Sequence, residues 1–295
     1  MNPPAPSEPR VPAGGAAASS NPASPSAPAA PAAVEATDLA KDYGFRRVLD
    51  GVSIKVPAGT FYSLFGPNGA GKTTLVKILT TLSRPTAGTV RIAGEESRGP
   101  RVSWIRSRIG LISHQTLLYD GMTALENLVF FGRLYGVPRP ADRAGALLTE
   151  LRLWDRRHDR AGTYSRGMLQ RLAIARALMH DPEILFLDEP FTGLDPAASL
   201  LLRGLLERLK EGGRSAVLVT HDLAEGLALA DRWGILAFGR VAAEGRAETT
   251  TLPELTDAYF AAARIDRNAA GAGPSQGPAA QGDPRQTPPR PGGGA

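Results

Sequence analysis

Two hydrophobic periods run along the chain, and each predicts one kind of element. Short apolar runs bounded by turn residues predict buried strands, at 61–65, 109–112, 184–187 and 215–220. Alternating apolar and polar residues predict half-buried strands at 34–39, 52–56 and 89–93, with turns at Gly51 and at 57–59. A hairpin around Gly239 and Arg240, with strands at 235–238 and 241–244, closes the predicted set.

Apolar residues at helical spacing predict helices between these strands. Thr123 and Glu126 have the spacing of a capping box, so a helix is expected to begin there and end near Gly136. Other helices are predicted after residue 72 and at 141–153, 168–179, 196–212 and 252–265. Three consecutive helices within about 123–180 interrupt the alternation of strands and helices. The pattern therefore predicts an α/β fold with an inserted helical subdomain.

Composition restricts the expected folded part to the middle of the chain. Residues 1–33 are rich in Pro, Ala and Ser, and residues 269–295 in Gly, Pro and Gln, so both are expected to be flexible tails. A domain at 34–247 and a helical segment at 248–268 remain. We expect no secretory leader, and no apolar run reaches the roughly 20 residues needed to span a bilayer.

Charge and cysteine content exclude two further classes of function. The formal net charge is +5, but Lys and Arg are dispersed among acids without a basic run, which predicts no nucleic-acid partner. Absence of cysteine excludes disulfides and thiolate chemistry.

A glycine-rich segment after the strand at 61–65 fits the pattern G-x-x-x-x-G-K-[ST]. Its residues are Gly66, Pro67, Asn68, Gly69, Ala70, Gly71, Lys72, Thr73 and Thr74. Glycines let successive backbone N–H groups face the phosphates of a nucleoside triphosphate. In this pattern Lys72 reaches the β- and γ-phosphates and the Thr73 hydroxyl binds Mg²⁺. The following helix directs its positive end at the same anion.

Two acids follow the strand at 184–187, and a histidine follows the strand at 215–220. Asp188 is placed to hold Mg²⁺ through water, and Glu189 to orient and deprotonate the attacking water. His221 is placed to hydrogen-bond the γ-phosphate. Tyr43 is either a packing residue or a platform on which the adenine ring stacks.

Three more segments complete a set of five motifs, namely Tyr164–Met168 with its helix, Thr192–Asp195, and His221 in its Val-Thr-His-Asp context. In this order the motifs resemble those of the ATP-binding subunit of an ABC transporter, over about 34–245. The resemblance implies a P-loop NTPase core with an antiparallel β edge.

That resemblance also implies a homodimer in which each ATP lies between the glycine-rich loop of one copy and the signature segment, 164–168, of the other. Ser165 and the Gly167 N–H would contact the γ-phosphate across the interface, and Asp195 would line it. Closure would drive an integral-membrane permease, and hydrolysis would reset it. Tyr43 becomes the expected adenine platform.

Two segments depart from the family pattern. Arg166 and Met168 stand where the family has Gly and Gln, and Arg166 is expected to be solvent-exposed. His114 or Gln115 occupies the position of a family Gln that senses Mg²⁺, and the sequence leaves both open.

The segment around His114 and Gln115 and the Tyr-Ser-Arg-Gly-Met signature are similar to the ATP-binding subunit of the haem exporter of cytochrome c maturation. This similarity implies haem-linked export at the cytoplasmic face of the membrane. Two alternatives stay open: export of drugs, polysaccharides or lipids, and a soluble ABC ATPase without a permease.

Overall fold

The computed structural model describes Met1, residues 32–113 and residues 115–263. His114 and most of the two predicted tails lie outside these residues. The strands are β1 (Ala32–Tyr43), β2 (Arg46–Pro57), β3 (Phe61–Phe65), β4 (Ala87–Ile92), β5 (Glu95–Glu96), β6 (Ile109–Ile112), β7 (Ile184–Asp188), β8 (Ser215–Val219), β9 (Arg232–Ala237) and β10 (Arg240–Arg246). The helices are α1 (Lys72–Leu79), α2 (Val102–Arg106), α3 (Ala124–Leu134), α4 (Pro140–Glu150), α5 (Arg166–Leu178), α6 (Pro196–Glu211), α7 (Leu223–Leu229) and α8 (Leu252–Ala263).

The strands form two sheets, which confirms the predicted α/β class. One sheet is antiparallel, in the order β2-β1-β4-β5, and supplies the predicted antiparallel edge. The other has the order β10-β9-β3-β8-β7-β6 and is parallel except for the β9–β10 hairpin. The apolar runs of β3, β7 and β8 are buried at every position, as expected for parallel strands covered on both faces.

Helices α3, α4 and α5 occupy the region where the helical insert was predicted. Their buried residues, including Leu128, Leu148 and Ile174, form one apolar cluster with Phe61 and Leu187 of the parallel sheet. Among the helices that the structure describes, none has both the length and the apolar content needed to cross a bilayer.

Two expectations about local structure were wrong, and two short helices were not predicted. Strand β1 begins at Ala32 instead of 34, because Ala33 is buried and its carbonyl accepts from the Ala93 N–H at 2.8 Å. Gly51 lies within β2 at φ +73°, where the pairing with β1 is irregular, so it marks a bulge and not a turn. The short helices α2 and α7 were not predicted, since five and seven residues give too little helical periodicity.

The predicted capping box at the start of α3 is present, and the residue after it adds a second anchor. Thr123 and Glu126 exchange hydrogen bonds between side chain and backbone, at 3.1 and 2.8 Å. Asn127 is fully buried, accepts from the Tyr119 N–H at 2.8 Å, and donates to the carbonyls of Tyr119 and Thr123 at 3.0 Å. The side chain of Asn127 therefore fixes the segment before α3 against that helix.

Replacing Asn127 with leucine is expected to lower the free energy of unfolding by about 2–4 kcal/mol. The change leaves a buried N–H and carbonyls without partners, at about 1–3 kcal/mol per unsatisfied group. Denaturant unfolding measures the loss, and Glu126→Ala, which removes only a cap, should cost about 1 kcal/mol. Equal, small losses in both variants would contradict the anchoring role of Asn127.

Candidate nucleotide-binding site

A pocket of ≈ 370 Å³ opens where β3 ends and α1 begins. It lies at the carboxyl edge of the parallel sheet, where ligands bind in open α/β folds. Its lining residues are Arg46, Val48, Asn68, Gly69, Gly71, Lys72, Thr73, Thr74, Asp188 and Glu189. The predicted glycine-rich segment and the two predicted acids are therefore brought together in one place.

Lys72 is the buried cation of this pocket. Its side chain is held inward because Nζ donates to the carbonyls of Gly66 at 2.5 Å and Pro67 at 3.1 Å. Burial lowers the pKa of Lys72 below its usual value, and the carboxylates of Glu189 and Asp188 oppose this shift. Phosphate oxygens bound nearby would oppose it further, so the charged lysine and an anionic ligand favour each other.

Two glycines of the loop are required because other chain segments approach too closely for a side chain. A Cβ at Gly66, which has φ +156°, would lie 2.2 Å from the carbonyl oxygen of Leu236. A Cβ at Gly71, at φ +106°, would lie 2.7 Å from the Leu49 side chain and 3.0 Å from the Val48 carbonyl. Strand β2 and the end of β9 therefore enclose the loop from two sides. Ala70, also buried, accepts at its carbonyl from the Gly239 N–H at 3.2 Å.

Glu189 and His221 form a pair at the edge of the pocket. Nδ1 of His221 lies 2.8 Å from Oε2 of Glu189, and an ionised carboxylate only accepts, so Nδ1 carries the proton of this hydrogen bond. Glu189 is in the left-handed region at φ +54°, and its N–H donates to the Val219 carbonyl at 2.9 Å. Sparsely populated backbone conformations of this kind cluster at functional sites. The link to β8 aims the carboxylate out of the end of β7.

The oxygen donors in the pocket suit a hard divalent cation. The Thr73 hydroxyl and the Asp188 carboxylate both line it, and Asp188 is buried at the end of β7. Within 32–113 and 115–263, no cluster of three or more His, Cys, Asp or Glu side chains could hold a metal ion. Mg²⁺ needs no such cluster, because it usually binds one or two protein ligands together with water and substrate phosphates. The donor set therefore fits Mg²⁺.

The signature segment lies at the start of α5, outside the lining of this pocket. Ser165 is its N-cap, and its hydroxyl accepts from the Met168 N–H at 3.3 Å. Gly167 and Met168 are partly buried, whereas Arg166 is exposed, as predicted. The Arg166 side chain lies over Gly193, where an added Cβ would be 3.0 Å from Nε. Arg166 thus packs the signature segment against the turn at 192–195.

A helix cap and one longer-range hydrogen bond order the surroundings of the signature segment. Asp195 is the N-cap of α6 and accepts from the Ala198 N–H at 2.7 Å. The buried amide of Gln170 on α5 donates to the Pro190 carbonyl at 3.1 Å, one residue after Glu189. The role of Gln170 was not predicted, because its partner is distant in sequence.

Tyr43 and Gln115 lie away from the pocket floor. Tyr43 ends β1, is half exposed, and pairs in register with Arg46, which lines the pocket. Its ring is 4.9 Å from the Lys41 ammonium. Gln115 is exposed, and its backbone carbonyl accepts from the Ser113 hydroxyl at 2.9 Å. The adenine and Mg²⁺ roles of these two residues stay predictions.

Comparison with known proteins identifies the family. The sequence profile described as "ABC transporter" matches residues 49–192. Over 214 residues the chain is 39% identical to the Nod factor export ATP-binding protein I of Burkholderia orbicola, covering 72% of this chain and 70% of that protein. The chain belongs to the ABC transporter ATP-binding family. The Nod factor relative is named as an ATP-binding protein for export.

Two further relatives of this ABC family member are informative. It is 40% identical over 214 residues to the daunorubicin/doxorubicin resistance ATP-binding protein DrrA of Streptomyces peucetius, covering 72% of this chain but only 64% of that protein. A solved dimeric ATP-binding cassette in a post-hydrolysis state, with ADP and Pi bound, superimposes with a TM-score of 0.67 at 30% identity. That match covers 72% of this chain and 98% of the solved one.

These relatives confirm the predicted P-loop core and membership of the ABC family, but they do not support the prediction of haem-linked export. The exporters that this chain resembles are named for drugs and Nod factors. Sequence reasoning also missed Arg46 and Val48, which line the pocket. Arg46 and Val48 follow Tyr43 by three and five residues and lie on β2. They reach the pocket only because β2 packs over the glycine-rich loop, which the local sequence does not indicate.

Proposed function

We propose that this chain hydrolyses ATP to drive export of a small organic molecule, of the drug or Nod-factor kind, through a separate membrane permease. The proposal rests on one observation: Lys72, Asp188 and Glu189 line the same pocket beside the glycine-rich loop. Similarity to the two exporter subunits favours this cargo class over haem. The proposed place of work is the cytoplasmic face of the membrane.

The proposed chemistry is positioning and neutralisation of charge. Lys72 would move from the carbonyls of Gly66 and Pro67 to the phosphate oxygens, which satisfy the same ammonium. Glu189 would accept the proton of the attacking water, and His221 would hold the carboxylate in place and reach the γ-phosphate. Thr73 and Asp188 would hold Mg²⁺, whose charge offsets that of the phosphates.

A second copy of the chain would complete the site. Ser165 caps a helix start that is exposed, so its hydroxyl and the backbone N–H of Gly167 are available to a nucleotide held by a partner. Asp195 and the turn packed under Arg166 lie beside this surface. The solved relative with ADP and Pi is itself dimeric, which supports this arrangement.

An exposed apolar patch supports the permease as a partner. It consists of Leu82, Leu117, Tyr119, Phe130, Leu134 and Tyr135, all of which are exposed. Tyr119 and Phe130 are in edge contact, with ring centroids 5.3 Å apart. Leu82, Leu117 and Tyr135 line a groove of ≈ 130 Å³ between the end of α1 and α3. Contiguous apolar surface of this kind marks interaction sites, and we assign it to the cytoplasmic surface of the permease.

The double change Leu117→Glu and Leu134→Glu is expected to reduce the membrane-bound fraction of the chain at least tenfold in its host cells. Burying a leucine side chain contributes about 1.5–3 kcal/mol, and burying a carboxylate opposes association. Fractionation followed by quantitative blotting measures the effect. The matched control changes Leu200 and Leu252, which are exposed outside the patch, to Glu. An equal membrane fraction in all three proteins would exclude the patch as the permease contact.

The cargo class can be tested separately in a strain that lacks the chain. Efflux of a fluorescent anthracycline such as daunorubicin should fall, while covalently bound haem in c-type cytochromes stays at its normal level. Loss of c-type cytochromes with unchanged efflux would overturn the cargo proposal and restore haem-linked export.

A further inference from the structure

A second cleft, of ≈ 670 Å³, lies away from the nucleotide pocket, between the end of α1, the loop before β4 and the segment leading into α2. Three arginines line it, namely Arg84, Arg98 and Arg106. Hydroxyl groups are supplied by Thr81, Ser83, Thr86 and Ser97. No acidic side chain lines this cleft among the residues that the structure describes.

No carboxylate among the described residues forms an ion pair with any of these three arginines. Arg47, Arg108, Arg203, Arg208 and Arg240 each form an ion pair with an acid. Even Glu95, on the neighbouring strand β5, is paired with Arg101 at 3.3 Å and not with an arginine of the cleft. Three like charges around one cavity, without a counter-ion in the described residues, repel one another and favour an anion.

Two of these side chains are already held in place. Nη2 of Arg98 donates to the Pro85 carbonyl at 2.5 Å. Arg106 donates through Nε to the Thr81 hydroxyl at 2.9 Å and through Nη2 to the Thr81 carbonyl at 3.3 Å. A guanidinium has five N–H donors, so each retains others for a ligand. The Lys41 ammonium donates to the Arg84 carbonyl at 2.8 Å and places a fourth cation close by.

We propose that this arginine cleft binds the phosphate group of an anionic phospholipid. A phosphate presents several oxygens in a tetrahedral arrangement and can accept from guanidinium groups and hydroxyls on different sides at once. A single carboxylate can engage one guanidinium fork and leaves the others unpaired. The volume of the cleft also exceeds what one carboxylate would fill, and suits a whole lipid headgroup.

The position of the cleft favours a lipid source for the phosphate. Arg106 lines both this cleft and the groove of the apolar patch, so the two surfaces are continuous. The inference rests here on the proposed function, which places the apolar patch against a membrane protein. A basic cleft beside that contact would face the headgroups, where each Arg or Lys contributes about fivefold to binding of an anionic surface.

Sedimentation of the purified full-length chain with vesicles tests the proposal without a permease. The chain should bind vesicles that contain phosphatidylglycerol at least tenfold more tightly than pure phosphatidylcholine vesicles, with a strong decrease in high salt. The variant R84Q/R98Q should lose at least tenfold of this preference. The control R152Q/R160Q removes the same charge from exposed positions outside the cleft and should retain the preference.

The remaining outcomes separate the other possible ligands. Equal vesicle binding by R84Q/R98Q and the parent would overturn the proposal, and if R84Q/R98Q also lost its permease in pull-downs, acidic permease side chains would be the ligand instead. Calorimetric binding of glycerol phosphate, lost in R84Q/R98Q, without any preference for anionic vesicles would indicate a free phosphate compound and also overturn the lipid assignment. ATP hydrolysis is recorded for every variant, so failure of the proposed function is seen independently of failure of lipid binding.

Discussion

Replacing Lys72 with methionine is expected to lower ATP hydrolysis by about 10²–10³-fold, the usual cost of removing one preorganised charge donor from a transition state. The Lys72 ammonium is buried, faces Asp188 and Glu189, and is held by two backbone carbonyls at the mouth of the glycine-rich loop. No other lysine lines the nucleotide pocket in the described part of the chain. A coupled assay of phosphate release with saturating ATP measures the loss.

The same substitution should separate function from stability. Because burial lowers the pKa of Lys72, the folded state binds its proton less tightly than the unfolded state does. The charged lysine therefore costs stability below its folded-state pKa, and this cost disappears as pH rises through that pKa toward the usual value. The parent should gain stability relative to Lys72→Met as pH rises in this alkaline window, and the variant should remain folded at neutral pH.

Lys77→Met is the matched control, since Lys77 is exposed on the same helix α1. It should retain normal hydrolysis. Normal hydrolysis by Lys72→Met would refute the phosphate role of Lys72 and, with it, the proposed site.

Locally encoded features of this site could be predicted from the sequence. The loop from Gly66 to Thr74 is specified by glycines that must turn and by a strand and helix on either side, all within a short stretch. Asp188 and Glu189 could be assigned to the ligand site because ligands in α/β sheets bind at the carboxyl ends of the parallel strands. The capping box at Thr123 is equally local, and the structure shows it.

Features that depend on distant packing could not be predicted. Arg46 reaches the pocket only because β2 folds over the loop, and Gln170 meets Pro190 only because α5 packs beside β7. The left-handed backbone conformation of Glu189 is not favoured by a glutamate side chain. It is supported by the hydrogen bond from the Glu189 N–H to Val219 on β8, which the local sequence does not reveal. The prediction of haem-linked export is not supported because it depended on two short segments. Similarity to the drug and Nod-factor proteins extends over 214 residues.

Replacing Glu189 with glutamine is expected to lower the turnover of ATP by about 10²–10⁴-fold, the usual contribution of a general base. Glutamine keeps the length of the side chain and can still accept from Nδ1 of His221, which lies 2.8 Å from the carboxylate in the parent. It cannot take a proton from water. Turnover should therefore fall while affinity for ATP, measured with a fluorescent analogue, stays within about threefold of the parent.

Trapping of the closed dimer distinguishes loss of the base from general damage. If two copies close on ATP and only hydrolysis reopens them, Glu189→Gln should elute as a dimer with ATP and as a monomer with ADP. Glu207→Gln, an exposed carboxylate on α6, is the control and should behave as the parent does. Turnover within about fivefold of the parent would assign the base elsewhere. Slow turnover without an ATP-dependent dimer would leave Glu189 as the base but contradict the shared site, because the nucleotide would then need no contribution from Ser165 of a second copy.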